Sequence, residues 1–133
     1  MSNELRKLRA ADVMTKTVHW AKADETLRAA AQRMQQHHIR ALLVAGPDPS
    51  DLPGILTTKD IVSLFGSHPL EVLDHTTVGD VMTRPAICVP QQANLVDCIQ
   101  LMRTAGVRRL PVLDGTKVVG VLSSTDVFAR ALA

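Results

Sequence analysis

This chain carries one pattern twice, and that constrains its fold more than any other feature. Asp12, Val13, Met14 and Thr15 recur as Asp80, Val81, Met82 and Thr83, and the same spacing of 68 residues sets Leu27, Gln32, Met34, Arg40, Leu42 and Val44 on identical residues. The register then shifts by two. GPDPSDLP at 46–53 stands opposite the shorter DGTKVV at 114–119, after which GILTTKD at 54–60 matches GVLSSTD at 120–126. A repeat of this period means one supersecondary unit used twice, each copy burying surface that it cannot cover alone.

Local patterns assign the same elements to both copies. A short strand is expected near Thr17–Ala21 and again near Ala86–Val89. Helical spacing follows: Leu27, Ala30, Ala31 and Met34 sit at i, i+3, i+4 and i+7, as do Leu95, Cys98, Ile99 and Met102, so each helix has one apolar stripe. Gly106 supplies the second helix with its stop. Two strands come next, Ala41–Ala45 with Gly54–Leu56, and Arg109–Leu113 with Val118–Leu122, the second pair joined through Asp114-Gly115. Closing helices are expected at Lys59–Phe65 and Thr125–Leu132, and a linker at 67–77 whose Leu70, Val72 and Leu73 retain the means to pack. The fold class is α/β in the α+β sense: two β-α-β-β-α repeats packed through their sheets about a pseudo-twofold axis, an arrangement that leaves two clefts between them.

Composition excludes several functions. Of the 133 residues 46% are apolar, enough for a core, and fifteen Lys and Arg are interspersed with thirteen Asp and Glu for a net charge of +2. No basic stripe proposes a nucleic acid or membrane surface. No apolar run approaches the roughly 18 residues of a membrane span, and the start lacks a signal-peptide core, so a cytoplasmic location is expected. Cys88 and Cys98 lack CxxC spacing and read as reduced, small core residues. His37 and His38 are neighbours on a helix and diverge by about 100°, which argues against a metal site. No Ser, His and Asp set, carboxylate pair or phosphate-binding loop is present, so no catalytic residue is assigned.

With DVMT opening each unit, RRLPV on the second middle strand and GILTTKD or GVLSSTD before each last helix, the chain resembles the cystathionine beta-synthase (CBS) domain, paired as a Bateman module. The resemblance runs from about Ala11 to Leu132 and implies an N-terminal extension at 1–10, whose Leu5–Ala10 would be an extra helix, then repeat one at 11–66, the linker at 67–77 and repeat two at 78–133.

The GILTTKD and GVLSSTD segments carry the chemistry. A strand ends, hydroxyls follow and a helix begins, so amide N–H groups and the positive end of a helix dipole gather where phosphate would sit. Thr57 and Ser123 can donate to a phosphate, Asp60 and Asp126 can accept from ribose hydroxyls, and Gly54 and Gly120 permit close backbone approach. The same residues also spell helix caps that need no ligand. The resemblance implies an adenosine ligand shared between repeats. One site would join Ser123, Ser124, Thr125 and Asp126 to Thr15, Val18, His19, Ile39, Arg40 and Ala41; the other would join Thr57, Thr58, Lys59 and Asp60 to Thr83, Ala86, Ile87, Val107, Arg108 and Arg109. Arg40 and Arg108 are candidate phosphate partners, with Arg108 preferred to its neighbour Arg109. The middle strand of repeat one departs from the pattern in having Leu43 where repeat two has Pro111.

The functional expectation is a non-catalytic sensor of an adenine nucleotide, AMP foremost, with no required cofactor. Signalling would run through a homodimer, built on Ile61, Leu64, Val127 and Phe128, to an unidentified effector protein. NAD or S-adenosylmethionine as ligand, and a ligand-free dimerisation scaffold, are the alternatives.

Overall fold

The structure, a computed structural model, describes residues 2–133, with side chains from Glu4 onward. In chain order the elements are α1 (Ser2–Lys7), α2 (Ala10–Val13), β1 (Trp20–Ala21), α3 (Leu27–His37), β2 (Ala41–Val44), β3 (Gly54–Thr57), α4 (Thr58–Leu64), α5 (Val72–His75) and α6 (Val78–Val81). Then come β4 (Val89–Pro90), α7 (Leu95–Ala105), β5 (Arg109–Asp114), β6 (Lys117–Ser123) and α8 (Ser124–Ala131). This is the α+β class expected, with two three-stranded sheets ordered β1-β2-β3 and β4-β5-β6.

The long elements stand where periodicity put them. Leu27, Ala30 and Met34 of α3, and Leu95, Cys98 and Met102 of α7, are buried, so each stripe does lie on a core. Thr26 and Asn94 cap the helix starts through their side-chain oxygens. Gly106 ends α7 at φ 70°, in the left-handed region, and His38, at the same repeat position, ends α3 at φ 54°. The first strands are shorter than expected. Only Trp20 and Ala21 pair with the middle strand, parallel to Leu43 and Val44, and only Val89 and Pro90 pair with Val112 and Leu113. The remaining residues of the two expected strands form no ladder. The linker is also more ordered than expected: it contains α5, whose Leu73 is 5% exposed while Val72 packs on the same core and Leu70 stays 58% exposed. Cys98 is a core residue as expected, whereas Cys88 is half-buried. Burial pushes both thiols up.

Chain order does not define the compact bodies. One, here the terminal unit, comprises residues up to Val18 together with Ile87–Ala133; the other, the central unit, is His19–Ala86. Each is completed by the segment that opens the opposite repeat. In the terminal unit Thr15 pairs antiparallel with Val121, N–H to carbonyl in both directions at 2.9 Å, and adds an edge to β6. In the central unit Thr83 pairs with Ile55 in the same way, again at 2.9 Å. Ala10 is fully buried in the terminal core, with Leu5, Leu8, Val13 and Met14 packed around it, and Val78 is fully buried in the central one. The helices α2 and α6, four residues each, bring these segments in.

The entry of the central unit is held by one partly buried carboxylate. Glu25 accepts from Arg33 Nη2 at 2.7 Å and from the Lys22 N–H at 2.9 Å, while Arg33 Nη1 donates to the Trp20 carbonyl at 2.8 Å. Burial pushes the Glu25 carboxyl up, but the Arg33 and Lys22 hydrogen bonds and charges outweigh it and hold the group below the usual range. The unfolded chain therefore takes up this proton more readily than the folded one. The stability that Glu25 supplies is present above the unfolded carboxylate pKa, about 4.3, and is lost as pH falls through the folded value. Urea titrations at pH 7 and pH 3 are expected to show a smaller acid-induced loss for Glu25→Gln than for the unaltered chain; equal losses would remove Glu25 from the account.

Candidate ligand-binding site

Each sheet ends in a corner where its last strand turns into a helix. In the central unit Thr57 is the N-cap of α4, extended at φ −115° and ψ 161°, and its hydroxyl oxygen accepts from the Asp60 N–H at 3.3 Å. Asp60 Oδ2 in turn accepts from the Thr57 N–H at 2.8 Å and from the Thr57 hydroxyl at 2.9 Å. In the terminal unit Ser123 caps α8 alike: its Oγ accepts from the Asp126 N–H at 3.1 Å, and Asp126 Oδ2 accepts from the Ser123 N–H at 3.2 Å. Both corners are thus reciprocal capping boxes, each supporting its helix by about 1 kcal/mol.

The middle strand takes another share of the first-turn amides. Thr58 N–H donates to the Arg40 carbonyl and Ser124 N–H to the Arg108 carbonyl, both at 2.9 Å. After the caps and these bonds, the second helical residues, Lys59 and Thr125, hold the amides of each turn with no partner among the described residues. The cradle is narrower than a bare helix start. Two further differences separate the corners. Thr15 Oγ1 lies 3.2 Å from both oxygens of Asp126 and donates there, while no bond joins Thr83 to Asp60 among the described residues. Lys59 puts a cation on the central corner where the terminal one has Thr125.

Close backbone approach at the glycines has a structural cause. A Cβ at Gly120 would stand 2.8 Å from the Thr15 carbonyl oxygen and 2.6 Å from Met14 Sδ; at Gly54 it would stand 3.2 Å from the Thr83 carbonyl oxygen and 2.8 Å from Met82 Sδ. What comes close is therefore the DVMT segment docked on each strand. Met14 and Met82 are the residues that sequence reasoning missed here, although both stand in the repeated tetrapeptide.

The remaining candidates divide between the units. Thr15 and Val18 belong to the terminal unit with Ser123–Asp126, and so do Ile87, Val107, Arg108 and Arg109. His19, Ile39, Arg40 and Ala41 belong to the central unit, with Thr57–Asp60, Thr83 and Ala86. Ala41 lies opposite Thr57 and Arg109 opposite Ser123 in register. Arg40 and Thr58 line a groove of about 680 Å³ between α3 and α4, and Arg108 and Ser124 its counterpart of about 530 Å³ between α7 and α8. Ile87 is 40% exposed, Ala86 is buried, and the half-buried His19 ring contacts His37 with centroids 4.9 Å apart.

The family model for the CBS domain matches residues 10–67 and 78–133, one copy over each repeat. The chain belongs to the CBS-domain family. As a CBS pair it is 33% identical over 118 residues to hypoxic response protein 1 of Mycobacterium tuberculosis, covering 89% of this chain and 81% of that one. The crystal structure of Hypoxic Response Protein I with two coordinated zinc ions superposes with a TM-score of 0.76 at 32% identity, over 95% of this chain and 100% of that one. Among the described residues of this CBS pair, no group of three or more His, Cys, Asp or Glu is gathered that could hold a metal ion. A hexameric CBS-CP12 protein from bloom-forming cyanobacteria superposes with a TM-score of 0.83 at 26% identity; the match covers 91% of this CBS pair but only 66% of that longer chain. CBS pairs are regulatory, sensor-type modules in these homologues. No helix among the described residues is long and apolar enough to cross a membrane.

Proposed function

We propose that this CBS pair is a non-catalytic cytoplasmic sensor that binds an adenine nucleotide, AMP foremost, and conveys its occupancy to an effector protein through the geometry of a homodimer. The observation that carries the reading is the pair of corners, each placing a carboxylate beside a helix start with an uncommitted amide. Asp60 and Asp126 take the ribose hydroxyls, and the Lys59 and Thr125 amides with Thr57, Thr58, Ser123 and Ser124 take phosphate. Arg40 and Arg108 add charge, while Thr15, Val18, His19, Ile39 and Ala41, with Thr83, Ala86, Ile87, Val107 and Arg109 for the other site, form the walls for adenine. Asp60 uses only Oδ2 in its cap, so Oδ1 remains for a ligand; Asp126 must exchange the Thr15 hydroxyl for the ribose. The nucleotide shifts the dimer only in so far as it prefers one geometry.

Thermal unfolding with AMP, ADP, ATP, NAD and S-adenosylmethionine tests this. A nucleotide at 100 times its dissociation constant is expected to add about 2.7 kcal/mol, and a compound that does not bind adds nothing. The double variant Asp60→Ala, Asp126→Ala loses about 1 kcal/mol per cap without ligand, so each protein is compared with its own ligand-free form. Full nucleotide stabilisation of that variant would rule out the ribose role. The capping boxes favour a second reading, a ligand-free dimerisation scaffold, because they account for all four corner side chains; it predicts no shift with any of the five compounds.

A further inference from the structure

Two imidazole rings from separate elements meet in the central unit. The ring centres of His19 and His37 are 4.9 Å apart and their planes are inclined by 34°. His19 stands immediately before β1, where its carbonyl accepts from the Leu43 N–H at 3.0 Å. His37 is the last residue of α3, beyond which the Ile39 N–H turns back to the Met34 carbonyl at 3.0 Å. Because β1 and β2 are parallel, α3 has to run back between them, and this returns its last turn to the end where β1 begins. The fold thus holds both backbones and brings the rings together. Neither ring has a hydrogen-bond partner among the described residues. No side-chain nitrogen there is buried without a partner, so the nitrogens of the half-buried His19 meet water, and His37 is exposed.

We infer that His19 and His37 together hold a divalent late transition-metal ion, with water in its remaining positions. Two imidazoles bound to one ion through bonds of about 2.0–2.1 Å, at angles between a right angle and the tetrahedral value, have ring centres about 4.5–5 Å apart. The observed spacing falls in that interval. Imidazole is a preferred ligand of zinc, nickel and copper, whereas magnesium and calcium prefer oxygen. Local charge also favours a cation. The last turn of α3 presents the negative end of its helix dipole, and Arg33, one turn before His37, is already paired with Glu25 at 2.7 Å. With only two protein ligands the site is open and its ion exchangeable, unlike a closed structural centre. The repeat supplies a contrast: Ile87 and Ala105 stand where His19 and His37 stand in repeat one, so the terminal unit has no counterpart. The bound ion ties the residue before β1 to the end of α3 and stabilises the central unit. Neither Asp60 nor Asp126 takes part, so the inference does not depend on the nucleotide reading.

Calorimetric titration of the full chain with nickel chloride tests the site. One ion per chain is expected, with affinity falling about tenfold or more in His37→Gln, and no binding of magnesium. His38→Gln, beside the site, and His68→Gln and His75→Gln, elsewhere on the chain, are expected to leave nickel affinity unchanged. A second measurement needs no substitution at the half-buried His19. Substoichiometric copper is expected to broaden the ring resonances of His19 and His37 together, while those of His68 and His75 stay sharp. Absence of nickel binding at millimolar concentration, full affinity in His37→Gln, or broadening that falls on His68 and His75 instead would each overturn the site.

Discussion

Removal of residues 1–15 is expected to unfold the terminal unit while the central unit stays folded. The segment contributes Ala10, fully buried, and Leu5, Leu8, Val13 and Met14 packed on Leu95, Cys98, Leu110 and their neighbours in one core cluster. It also donates from Ala10 N–H to the Ala93 carbonyl at 2.9 Å and from Ala11 N–H to the Gln91 carbonyl at 3.0 Å, accepts from Leu95 N–H at the Leu8 carbonyl at 2.9 Å, and pairs with Val121. Truncating one buried Leu or Met costs about 2–5 kcal/mol, and a whole small domain is stable by only about 5–15 kcal/mol. Losing several such groups together exceeds what the terminal unit can bear. Hydrogen exchange is expected to show protection gone from amides at 87–133 and kept at 19–86, with recovery when residues 1–15 are added back as a separate peptide. Protection unchanged across 87–133 would show that repeat two folds without the segment.

Gly120→Ala is expected to destabilise the protein by about 3 kcal/mol, in the upper part of the range for overpacking. The new methyl would stand 2.8 Å from the Thr15 carbonyl oxygen and 2.6 and 2.9 Å from Met14 Sδ and Cγ. The methionine can swing away, but the carbonyl cannot, because the Thr15 and Val121 backbones are joined in both directions at 2.9 Å. Relief of the clash therefore requires parting the segment from β6. Gly66→Ala is the control: its nearest contact would be the Ser63 carbonyl oxygen at an ordinary 3.6 Å, so a change within about 0.5 kcal/mol is expected from chemical denaturation. If the two substitutions cost the same, crowding at Gly120 is not the cause.

The two predictions turn on one contact, and it marks where sequence reasoning stopped. Periodicity located α3 and α7 because eleven residues of spacing at 3.6 leave an unambiguous stripe, and the apolar runs with turn-rich loops between them located β2, β3, β5 and β6. The caps were equally legible, since Thr57 with Asp60 and Ser123 with Asp126 interact within three residues of chain. Four-residue helices such as α2, α5 and α6 have no period to detect, and the linker consequently lacked its helix. The first strands were overextended because an apolar run shows β propensity but not how many residues find a partner.

For the candidate site, the sequence named the hydroxyls, carboxylates and glycines from the repeat, but not what each touches. The Thr15 hydroxyl on Asp126 joins residues 111 apart, a bond that local pattern does not encode. Nor could the sequence show that caps and the Arg40 and Arg108 carbonyls take up most of the first-turn amides. By itself it determined the repeat, the long elements, their apolar faces and the chemistry of the two corners, since those depend on propensity and on neighbours within a few residues. Only the tertiary structure decided that each DVMT segment completes a sheet other than the one that follows it. That choice rests on which exposed strand edge and which glycine-floored groove the segment meets, and both exist only once β3 and β6 have formed.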